Sequence, residues 1–346
     1  MNINNIVFWR ISPSPHLDSL FPALRNINNE IKIYTIFLDR LSTRRKQQGW
    51  NEDIVDSEYD IYFPTENQIR SLIKKFDNNT VHVFSGITYH KTMRYIFREL
   101  TKHPVKRVII TEGIDFSGII GKLKYLRIYW HEQRFFKFVD MVFTIGSLAE
   151  EMYCQLGLAK NKIRPFCYVI DSDNSPPQID TPSKNFQFGV IGRLIPIKRV
   201  DLIITALSKI QEQNWELTVI GDGPERSNLE LLSSNLNLSN QIKFTGVIPN
   251  VDARNYMKTL DCMIFPSNAD GWGAVVNESL LVGTPVICSD YPGAADLIHI
   301  NFNGYIFQTD SESSLIEQIK IAIAGGKLGA DKRQKIINWS TSILPN

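Results

Sequence analysis

The sequence lacks several features that would place it at once. It has no run of about 18 uninterrupted apolar residues, which excludes an ordinary membrane-spanning helix. Cysteine is scarce: Cys154, Cys167, Cys262 and Cys288 are widely spaced, follow no CxxC or Cys/His metal pattern and lie in apolar segments. Reduced, buried thiols are the expectation. Charge of one sign is also missing. With a formal net charge of +2 the chain is close to balance, and nucleic acid is not expected as a partner. The absence of GxGxxG disfavours a nicotinamide-dinucleotide dehydrogenase. Asp171 and Asp173 form a DxD pair by letters alone, but they stand in a proline-rich stretch and read as solvated linker residues. The opening MNINNIVFWRI enters a strand-like run without the basic region, apolar stretch and cleavage site of a secretion signal, so a cytoplasmic protein is expected. No repeat of fixed short period appears.

What the chain does have is 346 residues, past the length at which single cores usually stop growing, and a hydrophobic content of 43% to fill two. Runs rich in Val, Ile, Phe and Tyr recur. The first half carries NIVFWRI, IKIYTIFL, DIYF, TVHVFSG, KRVIIT and DMVFTIG; the second carries FQFGVIG, ELTVIGDG, QIKFTG, DCMIFPS, TPVICSD and NGYIF. Helical periodicity between them reads as parallel strands with crossover helices. Residues 171–185, DSDNSPPQIDTPSKN, hold three prolines and little to bury, and read as a linker. The expected fold is α/β: two doubly wound Rossmann-like domains, 1–170 and 186–325, facing across a cleft at the carboxyl ends of their strands. A helical tail, 326–346, comes after a break at Gly325-Gly326 and is expected to pack back on the first domain.

Three segments carry candidate chemistry. In GRLIPIKRVDLII a strand ends at Gly192, Arg193 comes next, and Lys198 precedes a helix with apolar positions at Val200, Leu202, Ile203, Ala206 and Leu207. Two cations beside a partly positive helix start suit a diphosphate, Arg as a planar fork and Lys as a mobile point charge. Solvated cations at a helix start are the plain alternative. In VIGDGPERSNLE, Gly221 and Gly223 mark a strand-to-helix turn that lets a ring or phosphate come close, or is merely tight. In NADGWGAVVNESLLVGTPVICSD, helical spacing runs from about Ala274 to Gly283, with Asp270 in the preceding loop and Glu278 about one turn inside. The N–H groups around Trp272 to Val275 suit phosphate oxygens or sugar hydroxyls. Asp270 reads equally as a helix-capping acid and Glu278 as a surface residue, although its apolar neighbours look buried.

In order, GRLxxxK, GDGP, FTGVIP, two acids seven residues apart and GTPVICSD resemble the nucleotide-sugar half of the retaining glycosyltransferases of family 4, the glycosyl transferases group 1, which have the GT-B fold. The resemblance covers about residues 186–310. It implies that Arg193 and Lys198 hold the donor diphosphate and stabilise it as it leaves, with Asp270 beside the donor sugar as the third catalytic residue. Glu278 would bind the ribose hydroxyls. Gly192, Gly221 and Gly223 would line the donor site, Gly271, Trp272, Gly273 and Ala274 would meet the sugar or phosphate through their backbone, and Val247 would lie near the base. The family usually has Glu where Asp270 stands, so the shorter acid bears on sugar preference. The implied reaction is transfer of a sugar from a nucleotide diphosphate donor to a hydroxyl of a glycan or lipid-linked glycan, with retention, in polysaccharide biosynthesis. No cofactor and no metal is expected. The rival readings are a nucleotide-sugar binding protein without catalysis, a GT-B sugar-nucleotide epimerase, and a phosphorylase needing pyridoxal phosphate.

The first half offers less. RISPSPHLDSLFPAL has Arg10, Ser12 and His16 as its polar candidates, and KRVIIT ends at Glu112. His16 and Glu112 are carried as acceptor-side or sugar-contacting residues, with helix capping as their alternative. Residues 117–140 mix Lys122, Lys124, Arg127, Arg134 and Lys137 with many aromatic and aliphatic residues. Such a segment either rests on an anionic membrane at the inner face or is an ordinary amphipathic helix with its apolar residues in the core.

Overall fold

Runs this rich in β-branched and aromatic side chains bury both faces only when helices cover them, and the computed structural model has that arrangement. It describes residues 3–343 apart from 14–16, 18–19, 29, 47–57, 77, 88–89, 117, 171–183, 212–213 and 292. One sheet consists of β1 Asn5–Arg10, β2 Lys32–Phe37, β3 Asp60–Tyr62, β4 Thr80–Phe84, β5 Lys106–Glu112, β6 Met141–Ile145 and β7 Ile163–Phe166, in the order β3-β2-β1-β4-β5-β6-β7. The other consists of β8 Phe186–Ile191, β9 Trp215–Ile220, β10 Ile242–Gly246, β11 Cys262–Phe265, β12 Val286–Ser289 and β13 Gly304–Phe307, in the order β10-β9-β8-β11-β12-β13. These strands pair in parallel throughout. The strand order reverses between β1 and β4 and again between β8 and β11, which makes both sheets doubly wound. The chain divides into two compact units, one ending at Val169 and the other taking up at Ile170. Of the expected linker, 171–183 lies outside the described residues.

β7 is the strand that sequence reading misses. It is short, IRPF, and carries Pro165, a residue confined to sheet edges because it cannot donate to the ladder; β7 is an edge strand. In the first core the Trp9 indole N–H donates to His82 Nδ1 at 3.0 Å, and His82 Nε2 donates to the Phe76 carbonyl at 2.7 Å. Burial pushes the His82 pKa down to about 4, so it is a neutral packing residue. Cys262 and Cys288 are buried, but Cys154 is exposed and Cys167 half-buried, a correction to the expectation of four buried thiols. Helix Ser147–Gln155 turns Ala149, Met152 and Tyr153 to the core and Cys154 away from it.

The last two helices are Glu312–Gly325 and Ala330–Ile343, separated by Gly326 at φ +67°. The helix Ala330–Ile343 is bonded into the second unit. The buried Arg333 guanidinium donates to the Leu260 carbonyl at 2.5 Å and to Thr284 Oγ1 at 3.1 Å, and Ser340 Oγ donates to the Leu280 carbonyl at 3.1 Å.

Candidate functional site

At the reversal point of the second sheet, β8 and β11 are neighbours whose exit loops leave on the same edge. The β8 loop starts at Gly192 and is sewn to the β9 loop: Gly192 N donates to the Ile220 carbonyl at 3.0 Å, and Leu194 N to the Asp222 carbonyl at 3.0 Å. Gly221 N in turn donates to the Gly246 carbonyl at 2.8 Å, tying in the end of β10. The approach is so close that a Cβ on Gly221 would lie 1.9 Å from the Gly192 oxygen. Gly221 and Gly223 are therefore glycines for backbone packing within the site's floor. Arg193 sits half-buried on this loop, and its guanidinium has no hydrogen-bond or ion-pair partner among the described residues.

Lys198 ends the 3-10 turn Pro196–Lys198, just before helix Val200–Leu207. That turn is held against the β11 exit: Asn268 N donates to the Ile197 carbonyl at 3.0 Å and Ser267 Oγ to the same oxygen at 3.1 Å. Lys198 Nζ consequently reaches Asp270 and forms an ion pair with its carboxylate, the side chains of both being about three-quarters covered. The ammonium also lies 5.2 Å from the centre of the Phe265 ring. Two catalytic candidates 72 residues apart in the sequence are thus brought into contact.

Helix Ala274–Leu281 begins at Gly273, φ +81°, where a Cβ would strike the Phe265 ring at 2.6 Å. Only glycine starts the helix this close to the end of β11. Ala274 opens the helix, Gly271 precedes it in the loop, and its first N–H groups have no intrahelical carbonyl to meet. The Trp272 side chain is buried, with its indole N–H donating to Asn277 Oδ1 at 2.7 Å. Any part Trp272 plays at the site falls to its backbone. Glu278 is half-buried on this helix and makes no side-chain hydrogen bond or ion pair among the described residues. Burial pushes its carboxyl above the ordinary range, with Arg254 on helix Asn250–Thr259 pulling the other way. Val247, just past β10, is exposed.

In the first unit, β1 ends at Arg10, a buried guanidinium 5.4 Å from the centres of both the Phe21 and Phe37 rings. Ser12 Oγ accepts from Arg45 at 2.9 Å. Glu112, at the end of β5, accepts a hydrogen bond from the Tyr168 hydroxyl. Burial and the Glu112 charge push Tyr168 well above the ordinary phenol range, so it stays a neutral donor. Tyr168 is a partner that sequence reasoning did not single out, because 56 residues separate it from Glu112 and no local pattern links them. His16 lies outside the described residues. Among the described residues no group of three or more His, Cys, Asp and Glu converges as a metal site would, and no helix is long and apolar enough to cross a membrane.

The second unit can be compared with known proteins on this footing. Residues 171–340 match the family described as Glycosyl transferases group 1. The 2-deoxystreptamine glucosyltransferase of Streptomyces kanamyceticus is 26% identical over 163 residues, 43% of this chain and 42% of that protein. The O-antigen biosynthesis glycosyltransferase WclY of Escherichia coli is 29% identical over 162 residues, 45% of this chain and 44% of that one. The chain therefore spans less than half the length of these curated relatives. Among solved structures, Anabaena Alr3699/HepE in complex with UDP superposes with a TM-score of 0.74 at 15% identity, covering 98% of this chain and 95% of the other. That likeness establishes the architecture, the GT-B fold, while the likeness to the glycosyl transferases group 1 family lies in residues 171–340.

Proposed function

We propose that this chain is a retaining hexosyltransferase of family 4, which moves a sugar from a nucleotide diphosphate donor to a hydroxyl of a glycan or lipid-linked glycan. The observation that carries the proposal is the Lys198–Asp270 pair at the carboxyl edge of the second sheet's reversal point, which joins the β8 exit loop that carries Arg193 to the loop that leads into helix Ala274–Leu281. Breaking the bond from the anomeric carbon to the diphosphate leaves positive charge on the sugar and negative charge on the leaving group. Arg193 and Lys198 stabilise the second as it develops. An ammonium has three donors, so Lys198 keeps Asp270 with one and offers the others to phosphate oxygens. Asp270 then stands where the sugar joins the diphosphate, and Glu278 accepts from the ribose hydroxyls at the far end. The two named relatives act in sugar transfer to 2-deoxystreptamine and in O-antigen biosynthesis, which supports a glycan-type acceptor; the UDP in the structural neighbour makes UDP-sugars the first donors to try.

The test is a thermal-shift screen against UDP-, GDP-, ADP-, CMP- and dTDP-linked sugars, repeated with Lys198→Ala. A donor at a hundredfold excess over its Kd stabilises by about 2.7 kcal/mol, a rise of several degrees. The expected result is a rise with one nucleotide class that disappears in the variant. No rise with any of them, or an equal rise in the variant, overturns the donor site. The shorter acid at 270, already engaged by Lys198, supports one second reading, a donor-binding protein without turnover. Release of free nucleotide at saturating donor and acceptor separates the two.

A further inference from the structure

Helix Gly118–Glu132 has two apolar stripes rather than one. Gly121, Tyr125, Ile128 and Glu132, at the i, i+4, i+7, i+11 spacing of one helix face, turn inward. Ile119, Leu123, Leu126 and Trp130 repeat the same spacing two positions out of step, roughly 200° around the helix. They are 81%, 63%, 50% and 75% exposed, and Ile120 beside them is 71% exposed. Single exposed leucines are ordinary, but four large apolar side chains in one row on one helix are an unpartnered face. This corrects the plainer sequence reading, in which the apolar residues of 117–140 all serve the core.

The charge around the stripe is of one sign. Lys122, Lys124, Arg127, Arg134 and Lys137 are exposed, and between Phe116 and Val139 the sole acid is Glu132. Glu132 is buried beneath the helix, accepts from the Tyr153 hydroxyl at 3.5 Å, and is pushed up to about 8 by burial, so it is largely uncharged at neutral pH. A second copy of this face meeting itself across a two-fold axis would set cations against cations. A flat polyanionic surface with an apolar layer beneath suits both features, and Trp130 is the side chain favoured at such a boundary.

We infer that the outer stripe of helix Gly118–Glu132 is a docking surface for an anionic lipid bilayer, with the helix lying in the interface plane, its Ile119, Leu123, Leu126 and Trp130 row among the headgroups and its cations on anionic phosphates. At 15 residues the helix is about 22 Å long and lies along the surface. A transferase held in this way meets its acceptor at the bilayer, which favours a lipid-linked glycan; that consequence alone rests on the function proposed above.

The test reads binding and needs no activity. The whole chain is sedimented with vesicles of phosphatidylcholine alone and with about three parts in ten phosphatidylglycerol. Binding is expected to the anionic vesicles and to fall with salt. Leu123→Asp/Trp130→Asp should lower partitioning roughly tenfold or more, since each side chain leaves an apolar layer. Lys122→Gln/Lys124→Gln should lower it by roughly fivefold per cation. All four side chains are exposed, so an unchanged melting temperature is expected; if the aspartate pair does not fold, Leu126→Ser/Trp130→Ser gives the same reading. Failure of the wild type to bind anionic vesicles, or equal binding by the apolar variants, overturns the inference. So does a wild-type dimer in sedimentation velocity that the apolar variant dissolves, because the stripe then belongs to a second copy.

Discussion

Replacing Gly221 by Ala tests the site's floor with a single methyl group. The new Cβ would lie 1.9 Å from the Gly192 carbonyl oxygen, where real Cβ atoms keep at least about 3.0 Å, so one backbone must move by about 1 Å. Neither can move freely, because Gly192 N is bonded to the Ile220 carbonyl at 3.0 Å and Gly221 N to the Gly246 carbonyl at 2.8 Å. Gly221 also stands at φ +134°, which costs an alanine about 1–3 kcal/mol. Losing the two hydrogen bonds adds about 1 kcal/mol each, giving a total of about 3–5 kcal/mol. For a domain of this size that is a melting temperature lower by roughly 6–20 °C. Gly192→Ala is the matched control. Its φ is +150°, but a Cβ there meets nothing within 4 Å, so it carries the conformational cost without the collision and should lose roughly half as much. Calorimetry of the two variants gives the stabilities. Donor affinity in Gly221→Ala should fall by about a hundredfold, because Arg193 rides on the displaced loop. If Gly221→Ala melts within about 2 °C of the wild type, or Gly192→Ala is the more damaging of the two, the close approach is not what these glycines serve.

The Lys198–Asp270 pair and Glu278 yield two more expectations. Asp270→Asn removes a partly exposed ion pair worth at most about 1 kcal/mol, so the melting temperature should barely move while kcat falls by about a hundredfold and KM for the donor by less than tenfold either way; wild-type kcat would remove Asp270 from the reacting end. Because burial raises the Glu278 pKa, the ionised form, which in the proposed function accepts from ribose, is lost at a higher pH than for an ordinary carboxylate. Donor affinity measured by calorimetric titration should weaken as pH falls through that raised value, and Glu278→Gln should bind weakly with a flat profile. The stability sign is opposite: the native state holds this proton more tightly than the unfolded chain, so stability falls as pH rises from the ordinary Glu value through the raised one. An unchanged pH profile in Glu278→Gln would show that another group sets it.

Local pattern made most of the fold legible. The twelve strand-like runs all became strands, and the helix between Gly273 and Gly283 stands where its glycines bracket it, at Ala274–Leu281. β7 escaped because a proline and an arginine in four residues hide an edge strand. The reading of 117–140 left two alternatives open for a reason visible in the helix: two apolar stripes on opposite sides blur the single-sided periodicity by which a sequence tells core from surface. Burial of Glu278, the Tyr168–Glu112 bond and the collision waiting at Gly221 are tertiary facts, made by segments far apart in the chain.

The order of strands also explains why motifs that are weak singly become specific together. GRLIPIK and NADGWG are 72 residues apart at Lys198 and Asp270, yet β8 and β11 are adjacent in the sheet, so the loop leaving one must fit the loop leaving the other. The fit is explicit: the Ile197 carbonyl accepts from both Asn268 N and Ser267 Oγ, and Ser289 Oγ, from the end of β12, donates to the Ser267 carbonyl at 2.7 Å. GDGP is bound into the same unit from the other side, through Gly192 and Leu194. A change in any one loop therefore bears on a neighbour that carries a charged group. That coupling makes the ordered combination of glycines, cations and acids informative where each piece alone, a tight turn, a cation at a helix start or an acid in a loop, has an ordinary explanation.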